Sequence, residues 1–172
     1  MEAPVLTGRS LQGGKNRGPA EGSPGMERMR WGFPVPEKKS RIINARAETA
    51  LEKRIFRDSL LHRRCAVPAR HYYEWNRERE RVTFSLPGAE EFYLAGCYQR
   101  YGDEDCFVIL TVPANASVES VHDRMPLILK KEEAPDWLLE DSLTGYFLSK
   151  GSPLLEKHQE YQQQTLFSQE DF

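Results

Sequence analysis

Three polar residues in this chain have types and settings suited to moving protons. Glu74 lies in the aromatic run Tyr72-Tyr73-Glu74-Trp75. Such neighbours strip water from a carboxylate and raise its pKa, which suits it to acid–base work. The plainer alternative is a strand-end glutamate facing solvent. His122 lies in Val121-His122-Asp123-Arg124-Met125-Pro126. An imidazole titrates near neutrality and can carry protons; the alternative is a loop histidine bonded to Asp123. Asn44 is a neutral amide before a predicted helix start, and its alternative is a helix or turn cap.

The thiols are weaker candidates. Cys65 has apolar flanks in Ala66 and Val67, which predicts a buried, inert side chain. Cys97 and Cys106 sit in apolar stretches and read the same way. The three cysteines form no C-x-x-C and no Cys/His cluster, so neither a metal site nor a cofactor is expected. Trp31 and Trp75 are either core residues or platforms for stacking bases. The basic cluster Arg54, Arg57, Arg63 and Arg64 reads as a solvated face or a phosphate contact.

The elements that must position these residues follow from pattern. Ala3 to Leu6 is a short apolar stretch, and Gly8 to Gly25 reads as a flexible glycine-rich loop. Residues 48–62 predict a helix, with Ala47, Leu51 and Ile55 spaced by four and Phe56 and Leu60 continuing the face. Strands are predicted at Cys65 to Pro68, Tyr72 to Trp75 and Val82 to Leu86. The last ends at Pro87-Gly88, a hairpin signal. Phe92 to Tyr98 and Phe107 to Val112 read as central strands. Pro126 to Leu129 is a further short run. Residues 133–139 predict a short helix with proline near its first turn. Many short strands with a few helices imply an α+β fold, one domain around a curved, mostly antiparallel sheet.

Composition sets the outer limits. The chain has 172 residues, 39% hydrophobic, with 24 Lys plus Arg against 26 Asp plus Glu. That length and apolar share support one self-sufficient core without disulfides. The net charge of −2 excludes a globally basic nucleic-acid binder but allows a local basic groove. No apolar run is long enough to span a membrane and no signal-peptide pattern is visible, so no membrane partner and a cytoplasmic location are expected.

The blocks occur in a specific order. They are Trp31-Gly32-Phe33, Asn44-Ala45-Arg46-Ala47-Glu48-Thr49, Arg64-Cys65-Ala66-Val67-Pro68-Ala69, Tyr73-Glu74-Trp75, Ala95-Gly96, Thr111, Ala114-Asn115 and His122-Asp123-Arg124-Met125-Pro126. This series resembles the SRAP family, the SOS response-associated peptidases, which act as abasic-site processing proteins in the response to DNA damage. The resemblance runs from about Ala3 to Leu139. It implies binding of single-stranded DNA that carries an abasic site, and recruitment to the nucleoid on damage. An N-terminal cysteine of the family closes a thiazolidine with the site's aldehyde, shielding it as a DNA–protein crosslink, and is tied to autoproteolysis. By motif, Asn44, Glu74 and His122 correspond to the catalytic residues. Trp31, Arg46, Trp75 and Arg124 correspond to DNA contacts. The family begins Met-Cys-Gly-Arg where this chain reads Met1-Glu2-Ala3-Pro4. The expectation is therefore a chain lacking the N-terminal segment with the nucleophile, through a mis-set start or a shortened gene.

Residues 1–150 are expected to form the domain and 151–172 a polar tail. Within the tail, Gln163, Leu166 and Phe167 fit Q-x-x-L-F, similar to peptides that bind bacterial sliding clamps; a plain tail is the alternative. A monomer is expected. Two other readings stay open: a non-catalytic single-stranded DNA-binding relative, and an inactive truncated fragment.

Overall fold

A computed structural model describes residues 1–8 and 26–159. Most of the expected glycine-rich loop and the clamp-like residues Gln163, Leu166 and Phe167 lie outside them. The main sheet is built on β1 (Glu2–Thr7), β2 (Met26–Trp31), β5 (Asn44–Arg46), β6 (Arg64–Ala69), β9 (Phe92–Tyr101), β10 (Glu104–Pro113), β11 (Arg124–Pro126) and β12 (Ile128–Leu129). A two-residue pair, β3 (Phe33–Pro34) and β4 (Arg41–Ile42), loops out between β2 and β5. The strands β7 (Tyr72–Trp75), β8 (Arg81–Ser85) and β13 (Glu156–Gln159) form a second sheet in the order β13-β8-β7.

The expected curved sheet goes further and closes. β1 pairs β2 and β6, β6 pairs β9, β9 pairs β10, and β10 pairs β2. Five strands therefore form a ring, which leaves no open edge among them. All of these pairs are antiparallel except β10 with β2. β9 explains why its sequence lacks alternation. Its residues from Phe92 to Tyr98 are all buried, covered on both faces as a central strand is. Helix α2 (Arg54–His62) packs on β9 and β6 from outside.

One helix expected over residues 48–62 is two, α1 (Ala47–Ala50) and α2. No proline or glycine marks the break. Lys53 is extended, at φ −90° and ψ 119°, and starts the second helix. The cause is tertiary. Ala47 and Ala50 bury toward β10, whereas Phe56 and Leu60 bury toward β9 and β6. One straight helix cannot face both surfaces.

Two further expectations change. Pro87-Gly88 does form a turn, with Ala89 N–H on Leu86 O at 3.2 Å. It joins strands of different sheets, not a hairpin. The hairpin is β7–β8, closed by Asn76 N–H on Glu80 O at 3.0 Å. The described start of the expected tail, residues 151–159, packs on the domain. Ser152 Oγ donates to Pro126 O at 2.7 Å, Leu155 is buried, and β13 pairs β8.

The basic cluster divides. Arg64 is buried and structural. It donates to Trp137 O (2.6 Å), Leu60 O (3.0 Å) and Asp141 Oδ1 (2.6 Å). Trp137 on helix α3 (Ala134–Leu139) donates to Cys65 O at 2.9 Å, so helix and strand are fastened twice. Arg63 holds Asp58 and Tyr98 O. Another long-range ion pair matters for the site. Arg124 on β11 grips Glu48 on α1 with two hydrogen bonds, 2.5 and 2.9 Å.

Two predictions follow from this packing. A Cβ at Gly96 would stand 2.4 Å from Val108 O and 3.1 Å from Cys65 Sγ. Gly96→Ala must therefore spread β9 from β10, and a loss of about 1–3 kcal/mol is expected in urea unfolding. An unchanged midpoint would show that the ring yields there. For Glu48, the hydrogen bond from Arg124 lowers the carboxyl from 4.5 to about 2. A folded pKa below the unfolded one stabilises above the unfolded value, and the gain is lost as pH falls from 4.5 toward 2. Glu48 is 42% exposed, so solvent screens the pair and the effect is modest. Stability of the native chain should fall more steeply across that window than stability of Glu48→Gln; parallel curves would refute the linkage.

Candidate functional site

β10 gathers the predicted residues. Ile109, Leu110 and Thr111 pair in parallel with Asn44, Ala45 and Arg46 of β5. Thr111, Val112 and Pro113 pair with Pro126, Met125 and Arg124 of β11. Phe107 pairs with Trp31 of β2. Asn44, Arg46, Arg124 and Trp31 are thus fixed around one strand.

Alternation on β5 buries Ala45 and exposes Asn44 and Arg46 on one side. Asn44 is not a helix cap. The residue that precedes α1 is Arg46, and no side chain caps that helix. The Asn44 amide and the Arg46 guanidinium have no hydrogen-bond partner among the described residues. Both are free to meet a ligand.

Alternation also decides Glu74. Tyr72 and Glu74 pair with the buried Phe84 and Val82, whereas Tyr73 and Trp75 face outward. Glu74 is half-buried, not a strand-end residue in open solvent. Burial pushes its carboxyl above the usual range, and the nearby His122 opposes that rise. Desolvation is the larger effect. Glu74 and His122 therefore share one electrostatic neighbourhood although they come from different sheets.

His122 ends a turn, with its N–H on Val118 O at 3.1 Å. Its Nδ1 lies 3.0 Å from Arg124 N–H, 3.1 Å from Arg124 O and 3.2 Å from Asp123 Oδ1. The Asp123 contact of the plainer reading is present. Nδ1 finds a partner whether or not it carries a proton. Nε2 has none among the described residues, so it is the nitrogen available for chemistry.

The expected DNA contacts fall into two groups. Trp75 and Tyr73 are 57% and 55% exposed, their rings edge-on at 6.5 Å. Arg81 lies over the Tyr73 ring at 5.8 Å. With Arg46 they are open surface. Trp31 and Arg124 are already engaged. The Trp31 indole N–H donates to Ile43 O at 2.9 Å, and its ring stacks on Phe107 with centroids 6.4 Å apart. The Arg124 guanidinium holds Glu48, Thr111 O (2.6 Å) and Thr111 Oγ1 (3.2 Å). Its side chain is only 17% exposed.

All three cysteines are buried and free, as their flanks predict. Burial pushes Cys97 to about 12 and Cys65 well above the usual thiol value. Among the described residues no three His, Cys, Asp or Glu side chains could hold a metal ion. On the outer face, Ser85 Oγ lies 3.2 Å from His158 Nε2 and Glu156 Oε2 4.0 Å from the same nitrogen. A catalytic triad needs the acid on the other ring nitrogen, so this is a surface cluster. Sequence reasoning quoted Glu48 and Thr111 within the motif blocks but gave neither a role. Glu48 is visible as the acid in the first turn of a helix, but its partner lies 76 positions away.

Comparison with known proteins identifies the family. The family model for SOS response-associated peptidase (SRAP) matches residues 2–164. The abasic site processing protein YoqW of Bacillus subtilis is 36% identical over 126 residues, covering 64% of this chain and 56% of its own. The abasic site processing protein YedK of Escherichia coli is 30% identical over 119 residues, covering 64% and 54%. The chain thus spans about half the length of these curated relatives. A solved structure from Bordetella bronchiseptica superposes with a TM-score of 0.73 at 23% identity, covering 92% of this chain and 83% of that one, a likeness of fold. The match of that family model to residues 2–164, more than half of the chain, makes the chain a member of the SOS response-associated peptidase family.

Proposed function

We propose that this chain recognises abasic sites in single-stranded DNA and that Glu74 and His122 carry out proton transfers at the opened sugar. The observation that carries the reading is the half-buried Glu74, its pKa raised by desolvation, beside a histidine whose ring is held by Nδ1. An abasic site exposes an aldehyde. A primary amine, of the protein or added in solution, adds to its carbon to give a carbinolamine, which loses water to become an imine. The first step needs a base for the amine proton, and the second an acid for the departing hydroxyl. A carboxyl whose pKa burial raises and an imidazole with a free Nε2 can supply both.

The other residues bind. Arg46 is free to fork onto a phosphate. The Asn44 amide can bond a sugar oxygen. Trp75 offers a ring to a base, worth about 1–3 kcal/mol when stacked. The family's thiazolidine crosslink needs a thiol next to a free α-amine. Cys65, Cys97 and Cys106 are internal and buried, so none of them serves.

Fluorescence anisotropy with single-stranded oligonucleotides tests the reading. Tighter binding is expected when one nucleotide is abasic. Arg46→Ala should weaken abasic and undamaged DNA alike and lower the salt slope by about one. Any imine with the abasic aldehyde can be trapped by borohydride. Glu74→Gln and His122→Ala should each slow that trapping by roughly a hundredfold, the scale of one lost acid or base. Equal affinity for abasic and undamaged DNA would overturn the proposal.

A further inference from the structure

We propose that Asn115 and Ser152 are positioning residues, which couple the turn carrying His122 to the sheet carrying Glu74 through the segment at residues 152–159. The inference deepens the proposed function and rests on its pairing of those two side chains.

Glu74 and His122 pose a problem of spacing. Glu74 lies on β7 of the second sheet, whereas His122 ends a turn between β10 and β11 of the main sheet. Two groups that share a proton-transfer task must be held to about 0.5 Å of the productive geometry. Apolar contact seats one sheet on the other, but it is non-directional. Directional bonds between the two are needed to fix the spacing.

Residues 152–159 supply them. Asn115 Nδ2 donates to Ser152 O (3.0 Å) and Pro153 O (2.9 Å), and Leu155 N–H donates to Ser117 Oγ (3.1 Å). Asn115 begins the turn that His122 ends. Val118 N–H bonds Asn115 O, and His122 N–H bonds Val118 O. Ser152 Oγ holds the chain beyond the histidine, accepting from Ile128 N–H (2.9 Å) and donating to Pro126 O (2.7 Å). The stretch that carries His122 is thus clasped on both sides by residues 152–155.

The other end of the segment has no slack. Leu155 bonds Ser117, and the next residue, Glu156, already pairs with Ser85 of β8. Val82 of β8 pairs with Gln159 on one edge and with Glu74 on the other. Directional contacts therefore run from His122 through Asn115, β13 and β8 to Glu74.

The Asn115 amide is fully committed to this task. Nδ2 serves two carbonyls, and Oδ1 accepts from Ser117 N–H at 3.0 Å and from Ser117 Oγ. That fills both donors and both lone pairs of an amide. Asn44 differs, because its amide meets no partner among the described residues.

Carbon-13 NMR of the Glu74 carboxyl in the DNA-free chain reads the coupling. His122 lowers the Glu74 pKa, so His122→Ala should raise it. In an Asn115→Ala or a Ser152→Ala background, the same substitution should raise it by much less. Ser152→Thr keeps the hydroxyl and should restore the full rise. Asp123 beside His122 and Tyr72 beside Glu74 are common to every chain compared. A segment that only stabilised the fold would lower the unfolding midpoint and leave the rise intact. Equal rises in the native, Asn115→Ala and Ser152→Ala chains, all folded, would overturn the proposal. So would the absence of any rise in the native background. With abasic DNA, Asn115→Ala should slow borohydride trapping by roughly ten- to a hundredfold, the scale of a misplacement of about 1 Å, at unchanged affinity for undamaged DNA. Because the carboxyl is read without DNA, the NMR result is separable from the fate of the abasic-site reading. A chain indifferent to abasic sites whose Glu74–His122 coupling still depends on Asn115 would keep the positioning role and lose the function.

Discussion

Everything in this molecule hangs on the sharing of β10. It is ten residues long, and each of its edges serves two partners end to end. Ile109 pairs with Gly96 of β9 and with Asn44 of β5, so β5 lies on the edge opposite β9. That is the edge β2 uses at Cys106 and Phe107. Thr111 pairs with Arg46 of β5 and with Pro126 of β11, so β11 continues the β9 edge. One strand thus sets the relative heights of Trp31, Asn44, Arg46 and Arg124. The arrangement requires β10 to be saturated along both edges, and a backbone that closes its own ladder stays out of water. It also requires close approach where β9 and β10 cross, which Gly96 permits.

Saturation along β10 has an electrostatic consequence. The cations and carboxylates around it are sorted by whether the fold already uses them. Arg64, Arg63 and Arg124 hold carbonyls and carboxylates of the protein, whereas Arg46 holds none among the described residues. A chain with net charge −2 can still present a cation at the place where a phosphate would pass. Which arginine is free is a matter of partners, not of number.

That distinction marks how far the sequence was legible. The strands, the α+β class and the ordered motifs were readable because each depends on local pattern. Alternation at Tyr72 to Trp75 even carries the inward turn of Glu74, once β8 is known to cover it. The break at Lys53 was not readable. No residue there disfavours a helix, and the cause is the two surfaces that α1 and α2 must cover. The engagement of Arg124 was hidden for a related reason. Nothing near residue 124 shows a carboxylate at residue 48, since β10 brings the two together across its opposite edges at Thr111. Ring closure was likewise a property of five pairings jointly, and no single strand shows it.

The two groups proposed to transfer protons are held in different ways. His122 is aimed by hydrogen bonds, which define direction. Glu74 makes no such bond among the described residues and is placed by packing. Tyr72, its neighbour on β7, is buried and stacks on Phe84 at 5.1 Å. Phe84, Val82 and Leu86 join the same core as the ring strands, so the second sheet is seated on the first by apolar contact. An unbonded carboxyl on a strand seated this way keeps its oxygens for a ligand. A hydrogen bond that fixed it more tightly would also stabilise one of its protonation states and remove the poise that burial gives it. The division is therefore physically coherent: direction on the histidine, desolvation on the glutamate, and a common frame from β10 and the core beneath β7.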